Sequence, residues 1–183
     1  GLDFLNPPAP RLVAVGGLSG SGKTTLARGL APEQRPRPGA VILRSDVIRK
    51  ELAGADALTR LPADAYSRET SLRVYEVILK RAELALEAGY SVIADAVFAR
   101  PGEREAVCEV ARGAGVPFSG LWLETPVAEM TRRLESRARD ASDATPEVLH
   151  MQLEYELGEI TWDRVDSTAK PDAVLAAARR SLV

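Results

Sequence analysis

The stretch "VGGLSGSGKT", residues 15–24, constrains this chain more than any other part of it. It follows a short apolar run, RLVAV at 11–15, and leads into a helical segment over 24–30 that Pro32 should stop. Gly17, Gly22, Lys23 and Thr24 fit the spacing G-x-x-x-x-G-K-[ST] in the strand–turn–helix setting that this pattern needs. Glycines let the backbone curl so that its N–H groups point inward at an anion, and the helix start adds the positive end of its dipole. The expected phosphate contacts run through Gly17, Leu18, Ser19, Gly20, Ser21, Gly22, Lys23, Thr24 and Thr25. Lys23 can reach β- and γ-phosphates, and the Thr24 hydroxyl can ligate Mg²⁺. The plain alternative is a glycine-rich turn that holds nothing; the flanking pattern argues against it.

Strand and helix signals alternate along the rest of the chain. Apolar runs at 40–46, 91–98, 117–124 and 160–166 read as further strands. Between them, Leu72, Tyr75, Leu79, Ala82 and Leu86 recur three and four apart, predicting a helix over 67–88 closed by Gly89. Pro101 should open a helix towards Gly113. Helices are also expected over 127–137, from 145 to about 157, and over 172–182. This alternation predicts a doubly wound α/β fold with a parallel sheet. The start at Gly1, without Met, and the stiff Pro7, Pro8 and Pro10 suggest a linker or cloning remnant over 1–10. Residues 11–183 would then form one domain from the C-terminal part of a longer protein.

Bulk composition narrows the partners. A net charge of −2 gives no reason to expect general nucleic-acid binding, and no apolar run is long enough to span a membrane. The single Cys108 excludes an internal disulfide and suits a reducing, cytoplasmic setting.

The chemistry is narrowed by three further residues. A guanine-reading N-K-x-D segment cannot be present, because Asn6 is the only asparagine. Asp95, at the end of "VIAD", is the expected metal-orienting acid; a loop or capping carboxylate is the alternative. Asp46 in "LRSDVIRKEL" is expected to close the second strand, where open parallel sheets place their crevice. A carboxylate there can take the proton of a substrate hydroxyl. Arg49, three residues on, would share its face and could hold an anion, although a capping Asp with a solvated Arg is the simpler reading.

Together "GLSGSGKTTLA", "RSDVIRKEL" and "SVIADAVFARPGERE" resemble the AAA-type P-loop kinases of the polynucleotide-kinase, gluconate-kinase and zeta-toxin type. The likeness is strongest to a bacterial predicted-kinase group often fused behind an aminoglycoside-phosphotransferase-like domain. It implies a three-layer P-loop NTPase fold: a five-stranded parallel sheet, helices on both faces and a helical lid. ATP and Mg²⁺ would be the cofactors and a hydroxyl-bearing small molecule or nucleotide the acceptor. Asp46 would be the general base, with Arg49 on the acceptor side. "MTRRLESRARDASDAT" falls where the lid belongs, about 130–150, so Arg133 and Arg137 become candidate catalytic arginines, with Arg132 and Arg139 as substitutes. Ordinary pairing with Glu129 and Glu135 competes with that role. Arg100 and Arg104 could touch acceptor or nucleotide, with solvated charges at a helix start as an equal alternative, and residues 166–168 would lie near the adenine. Two other functions share these features: an ATP-binding regulatory module of a larger protein, and a toxin-like kinase of nucleotide-sugars.

Overall fold

The computed structural model describes residues 8–56, 59–136 and 144–182. Five parallel strands form one sheet in the order β2-β3-β1-β4-β5, where β1 is Leu12–Gly16, β2 Val41–Arg44, β3 Val92–Asp95, β4 Phe118–Glu124 and β5 Asp163–Asp166. The central strands β1 and β3 are buried at every position, as strands covered on both faces must be. The edge strands β2 and β5 each bury one residue fully, Leu43 and Val165.

Helices cover both faces. On one side Leu12, Ala14, Val92 and Ala94 pack against Val74, Ile78, Ala82 and Leu86 of α3 (Arg68–Glu87) and Val107 and Ala111 of α4 (Pro101–Gly113). On the other, Val13, Val15, Ile93 and Leu121 meet Leu26 and Leu30 of α1 (Lys23–Leu30) and Val174 and Ala178 of α7 (Pro171–Arg180). A third cluster joins Met130 and Leu134 of α5 (Val127–Glu135) to Leu149 of α6 (Pro146–Leu153), with Leu18 packed against it. This small cluster seats α5 and α6 beside the glycine-rich turn.

Several boundaries differ from expectation. The second strand ends at Arg44, and Ser45 and Asp46 open α2 (Ser45–Leu52) instead. A carboxylate in a first helical turn meets the positive end of the dipole, which favours helix over strand at Asp46. The buried stripe of α3 is Val74, Ile78, Ala82 and Leu86, while Leu72 is 52% exposed. The first helix does end at Leu30, before Pro32, and a short 3₁₀ turn, Ala31–Glu33, carries the chain on. The fifth strand starts only at Asp163, and Trp162 before it packs in the core.

That tryptophan fixes Gly120. A Cβ on Gly120 would lie 2.4 Å from the Trp162 ring, whereas one on Gly113 would meet nothing within 4 Å. Gly120→Ala should therefore cost about 1–3 kcal/mol in urea unfolding, as overpacked cores do. Gly113→Ala should be neutral or stabilising by up to about 1 kcal/mol.

Candidate functional site

The register of the sheet assembles the site. β1 lies between β3 and β4, so the chain leaves it towards one side and later returns to the other, which opens a crevice at the strands' C-terminal ends. Arg44 lies beside Asp95 in the β2–β3 ladder, and Asp95 beside Val15 in the β3–β1 ladder. Gly16 then leads directly into the glycine-rich turn.

That turn requires its glycines. Gly17, Gly20 and Gly22 have φ of 135°, 84° and 98°, a region other residues avoid. A Cβ on Gly20 would sit 2.7 Å from the Met130 carbonyl, and one on Gly17 2.9 Å from that of Leu123. Gly22 precedes α1 in the left-handed conformation, so the Lys23, Thr24 and Thr25 amides stand at a helix N-terminus beside the curl. Lys23 Nζ donates to the Leu18 carbonyl across the turn at 3.0 Å.

Thr24 Oγ1 donates to Asp95 Oδ2 at 2.7 Å, and Arg44 Nε lies 3.6 Å from the same oxygen. Asp95 is 4% exposed. Burial pushes its carboxyl above the usual range, with Asp46 adding to the rise, while Lys23, the Thr24 bond and Arg44 oppose it. Two oxygen donors side by side at a phosphate cradle suit a hard cation such as Mg²⁺. Among the described residues no group of three His, Cys, Asp or Glu could hold a metal by itself. The fit is therefore to an ion that takes further ligands from phosphate and water. Arg44 was not singled out from the sequence, where its strand-end position beside an acid was the available signal.

Two cavities meet at the turn. The larger, about 470 Å³, is lined by Lys23, Thr24, Asp46, Arg49, Tyr66 and Asp95, with α6 as its far wall. The smaller, about 350 Å³, runs from Gly22 and Thr25 to Ser167, Thr168 and Lys170. Gly22, Thr25 and Arg133 line both.

Arg49 is 8% exposed and rigidly held. Its Nη1 donates to the Ala65 carbonyl at 2.8 Å and lies 3.4 Å from Ser71 Oγ, and the guanidinium stacks 4.9 Å from the Tyr66 ring centre. Its buried Nε has no hydrogen-bond partner among the described residues. Arg133 bonds Glu129 through Nε at 2.7 Å and the Ser167 carbonyl through Nη2 at 2.8 Å. Its Nη1 lies 3.8 Å from where a Cβ on Gly22 would be. The expected surface pairing with Glu129 and a place beside the cradle thus hold together. Arg132 and Arg133 pull the Glu129 carboxyl down to about 2. Arg137, Arg139 and the rest of the expected lid tip lie outside the described residues.

Arg104 is a correction to its suggested ligand role. It is 5% exposed and donates to the Phe98, Ala99, Leu157 and Glu159 carbonyls, tying two loops together. A guanidinium with four fixed carbonyls is committed to structure. Gln152 was missed by the sequence reading: its Oε1 accepts the Ser19 N–H at 2.8 Å.

A family model described as an AAA domain matches residues 12–156. The chain belongs to this AAA-domain family. It is 33% identical over 165 residues to an uncharacterised protein of Mycobacterium tuberculosis, covering 88% of this chain and 32% of that protein. The chain thus spans about a third of the length of such curated relatives. An adenylyl-sulfate kinase of Myxococcus xanthus is 30% identical over 117 residues, covering 64% of this chain and 59% of that one. Among solved structures, a sugar kinase from a Janibacter species superposes with a TM-score of 0.69 at 24% identity, covering 94% of each chain. The Mycobacterium tuberculosis APS kinase in complex with AMPPNP and APS gives 0.66 at 21%, covering 96% of this chain and 99% of that one. These superpositions establish a shared fold: the five-stranded parallel sheet with helices on both faces.

Asp95→Asn tests the electrostatics directly. A carboxyl whose folded pKa is raised binds its proton more tightly in the native state, so its contribution to stability falls as pH rises through that range. The variant's unfolding midpoint without nucleotide should equal or exceed wild type at pH 7. That gain should shrink as the pH falls through the raised range in which the wild-type carboxyl itself takes up its proton.

Proposed function

We propose that this chain is an ATP- and Mg²⁺-dependent phosphotransferase that moves the γ-phosphoryl group to a hydroxyl of an acceptor held in the larger cavity. The observation that carries this reading is the meeting of two cavities at one cradle, with Asp46 and Arg49 in the larger cavity. The family membership supports it, as does the likeness to solved structures of a sugar kinase, a gluconokinase and an APS kinase. One of those neighbours was solved with AMPPNP and APS.

In this reading the smaller cavity takes the nucleoside and the turn takes its phosphates. Lys23 leaves the Leu18 carbonyl for the β- and γ-phosphates. Thr24 and Asp95 would hold the Mg²⁺, which would supply neutralisation of phosphate charge. Asp46 accepts the proton of the acceptor hydroxyl as its oxygen forms the new bond to phosphorus. The bond from the γ-phosphorus to the β-phosphate oxygen breaks, and ADP departs with the electron pair. Arg133, shared by both cavities, offsets the charge that builds during transfer. Arg49 brings a guanidinium to the wall of the larger cavity, the group that forks onto carboxylates and phosphates. This favours an acceptor that carries an anionic group besides its hydroxyl. A cytoplasmic setting, where ATP is plentiful, suits the reaction.

A second reading rests on one fact: the chain spans 32% of the length of its curated relatives. An ATP-binding module that regulates a companion domain, such as a phosphotransferase-like one, would look the same at the cradle. A screen of hydroxylated compounds coupled to ADP release separates the two. The kinase reading predicts acceptor-stimulated turnover that Asp46→Asn lowers about 10²- to 10⁴-fold while ATP affinity stays within a few-fold. Tight ATP binding with no acceptor-stimulated turnover, in this chain and in a full-length relative, supports the module. Loss of ATP binding in Asp46→Asn contradicts the general-base assignment.

A further inference from the structure

The peptide between Leu18 and Ser19 is gripped at both ends. Its carbonyl accepts from Lys23 Nζ at 3.0 Å, and its N–H donates to Gln152 Oε1 at 2.8 Å. A backbone N–H can be served only by the oxygen of an amide side chain, so this contact also fixes which way the Gln152 amide turns. Gln152 is 7% exposed and lies on α6. Its neighbours Val148, Met151 and Tyr155 line the larger cavity with it. Leu149, three residues before Gln152 on α6, is fully buried with Met130 and Leu134, and Leu18 packs against that cluster. The wall of the acceptor cavity is therefore joined to the phosphate turn by one buried hydrogen bond and one apolar contact, both through residues 18 and 19.

We propose that Gln152 is a positioning residue that couples the acceptor wall to the phosphate cradle through the Leu18–Ser19 peptide. The inference rests on the nucleotide reading of the cradle and adds a link to it. With the N–H held by Gln152, the peptide keeps one orientation and the turn keeps the curl that receives phosphate. Preorganisation of this kind raises affinity by removing the cost of ordering the loop. Linkage makes the effect reciprocal: if the Gln152 bond favours the nucleotide-ready turn, a bound nucleotide must favour the Gln152 bond and steady α6. Acceptor and donor sites would then be coupled without sharing a ligand contact.

The test compares wild type, Gln152→Met and Gln152→Glu by hydrogen exchange over 146–153 and by ADP titration with Mg²⁺. Met fills nearly the same space without an oxygen acceptor, whereas Glu keeps the acceptor. In Gln152→Met the amides of α6 should exchange about five- to tenfold faster than in wild type, the scale of one buried hydrogen bond, and ADP should bind more weakly by a similar factor. ADP should slow exchange in α6 of wild type and Gln152→Glu and leave Gln152→Met unchanged. Gln152→Glu should restore slow exchange in the free protein. Wild-type behaviour in Gln152→Met overturns the proposal, because packing alone would then hold α6. So does a Gln152→Glu variant that behaves like Gln152→Met. If wild type itself binds no ADP, the nucleotide reading falls, and the exchange rates without nucleotide still uphold or overturn the link.

Discussion

The site depends on one backbone constraint. Residues 17–22 must curl tightly enough to present their amides to an anion while β4, α5 and α6 crowd them from outside. Gly17 cannot carry a side chain because the Leu123 carbonyl is against it, and Gly20 cannot because Met130 is. Both also take left-handed dihedrals that disfavour any Cβ. The helix that follows, the seat of α5 and α6, and the reach of Lys23 across the turn all follow from this curl. Close approach and dihedrals that only glycine takes freely are concentrated where a ligand would be received.

Around the curl, burial and charge are set against each other. Asp95 is driven out of water at the end of a central strand, which favours its neutral form, yet it accepts from Thr24 and faces Arg44. Arg49 is likewise removed from solvent, stacked on Tyr66 and anchored at one nitrogen. Groups held this way lose little freedom when a ligand arrives, which is how an active site places charge before reaction. Arg133 differs. Its two protein bonds lead to Glu129 and to a carbonyl beside the smaller cavity, and it lines both cavities.

Much of this was legible in the sequence, because the signals were local. The glycine spacing, the apolar run before it, Pro101 at the first helical turn and Gly89 after a helix each act within a few residues. The five strands followed from apolar runs of the kind a doubly covered sheet needs. The differences come from tertiary packing. Asp46 lies on a helix rather than a strand because β2 ends where its ladder with β3 ends, at Arg44 and Asp95. Arg104 looked like a solvated charge and is a buried staple, since its four carbonyl partners come from loops that sequence spacing does not bring together. Gln152 carried no signal at all. An amide in the middle of an ordinary helix becomes informative only when a distant N–H is found opposite it.

The central claim is that the curl at residues 17–24 holds the phosphates of a nucleotide, with Lys23 as their cation. Calorimetric titration of wild type and Lys23→Met with ATP and Mg²⁺ tests it most directly. The account predicts one-to-one binding in wild type, with affinity lost by at least tenfold in a Lys23→Met variant that unfolds at a similar temperature. Wild-type protein that binds no nucleotide, or a Lys23→Met variant that binds it equally well, would contradict the account.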